Sequence, residues 1–221
     1  MEDKEDKERN ITSKYDYLSE DNIKKILLDE SYNFDILSLN VHSCLNIGNM
    51  IRTSNLTGCR KFIIFGRRKY DKRSAVGAQH YMTIERVSGL KNEKTDTTIQ
   101  LEKEDYDFDE KIFAEFVQQN NYIPVFIEQD SKSVPATNEN ISNIIKHSTE
   151  IKKTVLIIFG NESTGIPENI LETRQILSES YTLELQQKGC INSFNVSNCC
   201  AIVSYKFMEC FKIMECLKFM E

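Results

Sequence analysis

The sequence predicts an α/β domain with a parallel sheet that helices cover on both faces. Short apolar segments rich in Ile, Val and Phe alternate along the chain with segments of helical spacing, as in parallel sheets joined by crossover helices. A hydrophobic fraction of 40% is enough for a buried core, and 221 residues suit one domain with short appendages. These observations favour a single core over two full-sized domains.

The short apolar segments are predicted to be strands, because Ile, Val and Phe bounded by turn residues suit a strand buried on both faces. They cover residues 34–39, 61–65, 122–127, 154–159 and 181–185. Helices are predicted where apolar residues recur at helical spacing, at residues 46–57, 111–119, 141–147 and 167–177. Gly58 closes the first of these helices, and Pro167 suits the first position of the last.

A long helix over residues 195–219 is the last predicted element, and its apolar residues form one stripe. They step along the helix by three and four residues: Val203, Phe207, Cys210, Met214 and Leu217, with Phe211 and Ile213 widening the stripe. Such a stripe either packs on the sheet of its own chain or is shared with a second subunit. Spacing alone does not decide between these alternatives.

The distribution of charged residues distinguishes the remaining segments of the chain. Residues 1–30 are predicted to be a charged tail and an accessory helix, residues 31–221 the main domain, and the acidic stretch near 91–110 a solvated insertion. A basic stretch from Arg60 to Arg73 holds seven basic residues and one acid. Because it follows a predicted strand end, where ligand-facing loops of α/β sheets lie, it is a candidate binding segment. The alternative is a solvated loop.

Composition excludes several classes of protein. The longest aliphatic and aromatic run, residues 155–159, is far shorter than the roughly 20 residues of a membrane-spanning helix. The seven cysteines are odd in number and form no C-x-x-C pair, and the acidic N-terminus resembles no secretory signal. We therefore expect reduced cysteines, no structural metal site, no membrane span, and a cytoplasmic or nuclear location.

The glycine motifs of nucleotide-binding α/β domains are absent. None of the eight glycines forms G-x-G-x-x-G, and neither G-x-x-x-x-G-K-[ST] nor G-x-S-x-G occurs. This disfavours dinucleotide-binding domains, P-loop enzymes and α/β-hydrolases. Three polar segments remain as candidate sites, and each follows a predicted strand.

The first polar segment is N-I-G-N-M-I-R at residues 46–52. Asn46 suits a helix cap, Gly48 permits another backbone to approach, and Arg52 is expected near the same edge of the helix. The alternative is a capped helix that carries one exposed arginine.

The second and third polar segments each lead towards a helix. G-N-E-S-T-G-I-P at residues 160–167 places two glycines around Glu162, so that backbone amides can point inward, although an ordinary strand-to-helix turn is the alternative. S-F-N-V-S at residues 193–197 precedes the last helix, where Ser193 and Asn195 either cap the helix or face a ligand.

Together and in this order, the three segments resemble the motifs of the SpoU, or TrmH, branch of the SPOUT RNA methyltransferases, which are N-x-G-x-x-x-R-T, G-x-E-x-x-G and S-L-N-V-S. The resemblance runs from residue 34 to residue 208. It implies an α/β domain with a C-terminal deep trefoil knot, S-adenosylmethionine as cofactor, a homodimer through the C-terminal helix, and 2′-O-methylation of a ribose in tRNA or rRNA.

The resemblance also implies the site residues. The polar residues that match the family's catalytic positions are Asn46, Arg52, Glu162, Ser193 and Asn195. Those that match positions lining the cofactor pocket are Gly160, Leu185 and Phe194, and Glu128 lies in a segment that reaches the cofactor in some eukaryotic members. Arg67, Arg68 and Lys69 are expected to contact the RNA phosphates.

Three departures from the family pattern leave the shape of the cofactor pocket open. Leu185-Gln186-Gln187 stand where many bacterial members have Ile-Pro-Met, and Phe194 replaces the usual leucine. At the start of the last helix, Asn198-Cys199-Cys200 replace small or aliphatic residues. Two other functions stay open as well. One is a non-catalytic SPOUT subunit that binds RNA, and the other is a SPOUT enzyme that methylates a base.

Overall fold

A computed structural model describes residues 10–66, 69–89 and 108–218, and a parallel sheet lies at its centre. Within those residues the strands are β1 (Phe34–Leu39), β2 (Lys61–Phe65), β3 (Thr83–Val87), β4 (Tyr122–Ile127), β5 (Val134–Pro135), β6 (Thr154–Phe159) and β7 (Tyr181–Glu184). Their order across the sheet is β3-β2-β1-β6-β4-β7-β5, and every pair is parallel. The five predicted strands are confirmed, while β3 and β5 are additional.

The helices follow the strands as predicted, with some bounds shifted. They are α1 (Glu20–Asp29), α2 (Cys44–Leu56), α3 (Lys72–Ala75), α4 (Glu110–Gln119), α5 (Asn138–Glu150), α6 (Glu168–Glu172) and α7 (Val196–Lys218). The predicted helix at 167–177 is shorter, because α6 ends in a 3₁₀ turn at Thr173–Gln175. Among the described residues, no helix is both long and apolar enough to cross a membrane.

Two hydrophobic clusters, one on each face of the sheet, confirm the predicted layers. On one face α2, α5 and α7 pack through residues such as Ile51, Ile144 and Phe207. On the other face α4 and α6 pack through residues such as Phe113 and Ile170. Successive residues of β2, β4 and β6 alternate between the two clusters, which is why those strands are almost entirely apolar, whereas β1 also contains the buried Asp35 and Ser38.

The stripe expected to join two subunits is largely buried within its own chain. Phe207 and Phe211 are 0% and 8% exposed, and the Phe211 ring stacks on Phe34 at 5.9 Å between centroids. The expectation that Phe207 and Phe211 form a dimer seam is therefore wrong, because this side of α7 packs on β1, α2 and α5. The opposite side carries a second apolar stripe that is exposed: Ile202, Tyr205, Ile213 and Leu217.

The sheet topology determines where a site can lie. Strand β6 is flanked by β1 and β4, whose following helices α2 and α5 cover one face. The helix after β6, α6, covers the other face. The chain therefore departs in opposite directions from neighbouring strands, which opens a crevice at their carboxyl ends.

Other sequence expectations stay predictions. Helix α1 packs through Ile23 on Tyr81, and the division of the chain at residue 30 stays a prediction. Residues 1–9 and 90–107, which include most of the expected acidic insertion, lie outside the described residues. The trefoil knot also stays a prediction that follows from the family.

Candidate functional site

The three predicted motifs meet at the crevice, and Asn46 connects them. Its side-chain amide donates a 2.7 Å hydrogen bond to Oε1 of Glu162, and its oxygen accepts one of 3.3 Å from Nδ2 of Asn195. These partners lie 116 and 149 residues away along the chain. Asn46 is not the helix cap that the sequence suggested. Ser43 caps α2 instead, which leaves the Asn46 side chain available for this link.

The Glu162 carboxylate holds the loop after β6 against the start of α2. Oε2 accepts a hydrogen bond from the His42 amide at 2.6 Å, and Oε1 accepts one from the Ser43 amide at 3.0 Å. Partial burial alone would raise the pKa of Glu162, but the hydrogen bonds from Asn46, His42 and Ser43 outweigh it and lower the pKa below 4.5. Glu162 is therefore an ionised anchor at a helix N-terminus rather than a proton donor.

Replacing Glu162 with glutamine is expected to lower the free energy of unfolding by about 1 kcal/mol at pH 7, a modest value because the carboxylate is partly solvated. Since the folded pKa is lowered, the stabilisation is present above pH 4.5 and is lost as the pH falls through the folded pKa. Urea unfolding of both proteins at pH 7 and at pH 3 measures this. Glu139→Gln, in the first turn of α5, is the matched control. A stability difference that persists unchanged at pH 3 would contradict this role.

Asn161, which sequence reasoning did not select, shapes the loop after β6. It exchanges backbone hydrogen bonds of 3.0 and 2.9 Å with Gly165, and its side chain donates one of 2.9 Å to the Asn40 carbonyl. Gly165 has a φ of +64°, and a Cβ on Gly160 would lie 2.3 Å from the Gly165 carbonyl carbon. Both glycines are thus required by the loop itself. The signal in the sequence is the asparagine between a buried strand and Glu162.

Gly48 has the close backbone contact that the sequence predicts. A Cβ at this position would lie 2.5 Å from the Asp71 carbonyl oxygen and 1.9 Å from Oγ of Ser74. The start of α3 therefore packs directly on α2. This contact fixes the segment that follows β2 beside the helix that carries Asn46.

A cleft of about 610 Å³ opens beside the three motifs at the carboxyl ends of β4, β6 and β7. All four residues predicted to bind the cofactor line it: Glu128, Gly160, Leu185 and Phe194. Glu162, Ser193 and Asn195 line it too, whereas Asn46 and Arg52 do not. A smaller cavity of about 230 Å³ lies at the amino ends of the strands, on the opposite edge from the motifs.

Glu128 forms part of the cleft wall and holds it together. Its Oε2 accepts a 2.8 Å hydrogen bond from the Ile166 amide, and its Oε1 accepts one of 3.0 Å from the Gln129 amide. A Cβ on Gly165 would lie 2.5 Å from Oε2 of Glu128, so only glycine permits this contact. The carboxylate thereby ties the end of β4 to the loop after β6.

Asn195 caps α7 as well as contacting Asn46. Its Oδ1 accepts hydrogen bonds from the Ser197 amide at 2.9 Å and the Ser197 hydroxyl at 2.7 Å. The capping alternative therefore holds for Asn195, while its contact with a ligand stays a prediction. Ser193 and Phe194 are exposed at the cleft, where their side chains are accessible to a ligand.

Arg52 takes no part in the hydrogen bonds that join Asn46, Glu162 and Asn195, and it does not line the cleft. Six residues along an α-helix rotate a side chain by about 240°, so Arg52 does not share the edge of α2 that carries Asn46. Its guanidinium is exposed and has no hydrogen bond or ion pair with the described part of the chain. The expectation that Arg52 acts beside Asn46 stays a prediction.

The basic stretch from Arg60 to Arg73 does not form one surface. Arg60 pairs with the buried Asp35 at 3.3 Å, and Lys61 pairs with Glu85 at 2.8 Å, both near the amino end of β2 and away from the cleft. Lys69 follows the carboxyl end of β2 and is exposed. Arg67 and Arg68 lie outside the described residues.

The fold is that of known RNA-modifying enzymes. The crystal structure of the A. aeolicus TrmH/SpoU tRNA modifying enzyme matches with a TM-score of 0.62 and 17% identity, over 89% of this chain and 84% of that one. AviRb, a SpoU methyltransferase from Streptomyces viridochromogenes solved with AdoMet, matches with a TM-score of 0.54 and 17% identity. An RNA 2′-O ribose methyltransferase matches with a TM-score of 0.55 and 14% identity. These two matches cover 80% and 81% of this chain, and 57% of each of the other chains.

A match between the sequence and a family model shows which family the chain belongs to. The model of the SpoU rRNA methylase family matches residues 33–205, which contain all three motifs and every strand described above. The chain belongs to this methyltransferase family. No curated protein matches the chain.

Proposed function

We propose that the protein is an S-adenosylmethionine-dependent methyltransferase that acts on the 2′-hydroxyl of a ribose in tRNA or rRNA. The observation that carries the proposal is the hydrogen-bonded chain Glu162–Asn46–Asn195 beside the cleft, in a member of the SpoU family. The AviRb complex with AdoMet supports the cofactor, and the similarity to the A. aeolicus tRNA modifying enzyme and to the RNA 2′-O ribose methyltransferase supports RNA and ribose.

The cleft suits S-adenosylmethionine in size and in chemistry. Its volume of about 610 Å³ is within the usual range for small-molecule sites. Leu171, Leu185 and Phe194 offer apolar surface for an adenine ring, while Glu168 and Glu184 suit a positively charged ligand. No lysine or arginine is among the described residues that line it. The bound cofactor would supply an electrophilic methyl group.

The residues of the chain would position the ribose and stabilise charge. Ser193 and Asn195 lie at the cleft, where they can hold the ribose, and Asn46 and Glu162 fix that arrangement. A guanidinium keeps its proton below about pH 12, so Arg52 acts as a cation rather than as a base. We assign it to the RNA phosphate beside the target and to the developing alkoxide, with the proton passing to phosphate or water.

Methylation of total tRNA and rRNA with labelled S-adenosylmethionine tests this function. Mass spectrometry of the digested nucleosides is expected to show the label on a ribose. Label on a base would indicate a base-directed enzyme instead. RNA binding without any methylation would indicate the non-catalytic subunit.

Replacing Arg67, Arg68 and Lys69 with glutamine is expected to weaken RNA binding. The slope of the logarithm of the binding constant against the logarithm of the salt concentration should become shallower by about 2 to 3, because each of the three lost phosphate contacts removes roughly 0.7 to 0.9. Filter binding at several salt concentrations measures this slope. The control removes the same charge elsewhere, with Lys24, Lys25 and Lys146 changed to glutamine. Equal slopes for the parent and the first variant would show a solvated loop.

We also propose a homodimer that uses the exposed stripe of α7. Ile202, Tyr205 and Ile213 lie on one side of the helix and are 37%, 52% and 54% exposed. An exposed apolar stripe opposite a buried one suits a helix with partners on both sides. The compartment that we propose is the cytoplasm, with the nucleus as the alternative.

A further inference from the structure

Arg174, which no motif contains, joins three segments of the chain through one guanidinium. It lies in the 3₁₀ turn after α6, and its Nε donates a 2.7 Å hydrogen bond to the Leu171 carbonyl. Its Nη1 donates to Oδ2 of Asp130 at 2.5 Å and to Oγ1 of Thr182 at 3.0 Å. The side chains of this ion pair are only 13% and 19% exposed.

Each of the three segments supplies a wall of the cleft. Leu171 lines the cleft after β6, residues 128–130 line it after β4, and Leu185 lines it after β7. Arg174 itself is not among the lining residues. Its contacts therefore lie behind the walls rather than in the space that a ligand would fill.

Asp130 connects Arg174, through further hydrogen bonds, to the backbone of Glu128. Its Oδ1 accepts a 2.6 Å hydrogen bond from the Lys132 amide, and its own amide donates one of 2.9 Å to Oγ of Ser133. The Ser133 hydroxyl donates in turn to the Glu128 carbonyl at 2.7 Å. A continuous series of hydrogen bonds thus connects Arg174 with the loop that carries Glu128.

We propose that Arg174 is a positioning residue that holds the three walls of the cleft at the spacing S-adenosylmethionine requires, an inference that rests on the proposed function. A guanidinium is planar and donates in fixed directions, so it can bond three acceptors on different segments at once, which a lysine ammonium does with less directional control. If the walls of the cleft are already fixed before the cofactor binds, less conformational entropy is lost on binding.

Isothermal titration of S-adenosylmethionine into the whole protein tests the inference. Arg174→Gln is expected to raise Kd about tenfold, a coupling typical of side chains in one hydrogen-bond network, and Arg174→Lys should lie between it and the parent. The matched control is Lys153→Gln. It breaks a similar half-buried ion pair, with Glu179 at 2.7 Å, at the amino end of β6 away from the cleft. This control should leave Kd unchanged.

Hydrogen exchange and steady-state kinetics separate positioning from general loss of stability. In Arg174→Gln, exchange should increase in residues 128–133, and KM for the cofactor should rise while kcat at saturating cofactor is retained. Asp130→Asn combined with Arg174→Gln should raise Kd by less than the product of the two single effects.

Three results would overturn the inference. One is an unchanged Kd in a folded Arg174→Gln protein. If that variant fails to fold, parent-like Kd values in both Arg174→Lys and Asp130→Asn overturn it equally. Failure of the parent protein to bind the cofactor would instead overturn the proposed function, and this inference with it.

Discussion

Changing Arg52 to alanine is expected to lower the single-turnover rate of methyl transfer about a hundredfold or more, the usual loss when one group that stabilises transition-state charge is removed. Arg52 is exposed, has no partner in the described part of the chain and does not line the cleft. The melting temperature and the affinity for S-adenosylmethionine should therefore stay nearly unchanged. Rapid-quench measurement on a methylatable RNA fragment gives the rate.

Two further variants define what Arg52 contributes. Arg52→Lys keeps the charge but loses the planar fork, so its rate should fall between the rates of the parent and the alanine variant. Lys146→Ala removes an exposed cation from α5 and should change nothing. A parent-like rate in Arg52→Ala would end the assignment of Arg52 to the reaction.

Changing Phe207 to alanine is expected to reduce the free energy of unfolding by about 3 to 5 kcal/mol, the cost of a large cavity in a core. Phe207 is 0% exposed, and its ring lies 6.3 Å from that of Phe34 between centroids. Domains of this size are commonly stable by only about 5 to 15 kcal/mol, so much of the stability would be lost. Urea unfolding followed by circular dichroism measures the change.

A substitution on the exposed side of α7 is expected to have a different effect. Ile213→Glu is expected to change the free energy of unfolding by no more than about 0.5 kcal/mol, because the side chain is 54% exposed. It should instead convert a dimer into a folded monomer, which light scattering detects. A parent that is monomeric at high micromolar concentration, or a variant that stays dimeric, would refute the proposed dimer surface.

The inner strands could be predicted from the sequence because both of their faces are buried. Neighbouring residues such as Ile63 and Ile64 lie in the clusters on opposite faces of the sheet, which produces nearly continuous apolar runs. Strand β3 lies at the sheet edge, where Glu85 is partly buried and Arg86 is exposed, so it has no such run. Strand β5 has only two residues and therefore no periodicity to recognise.

The meeting of the three motifs could be anticipated from their order, but their contacts could not. Spacing does not show that Ser43 rather than Asn46 caps α2, because both are good cap residues. The local density of charge also does not show which basic residues lie away from the cleft. Arg60, for example, precedes β2 and lies at the amino ends of the strands. The role of Arg174 depends on partners in two other segments, which a reading of local sequence cannot reveal.

The link between Asn46 and Asn195 has a consequence for biosynthesis. Because these residues are separated by 149 positions, the link cannot form until Asn195 has left the ribosome. Translation adds about 5 to 20 residues per second. The interval between the synthesis of Asn46 and that of Asn195 is therefore on the order of ten seconds. A nascent chain that already contains β1, α2 and β2 therefore still lacks the assembled motifs.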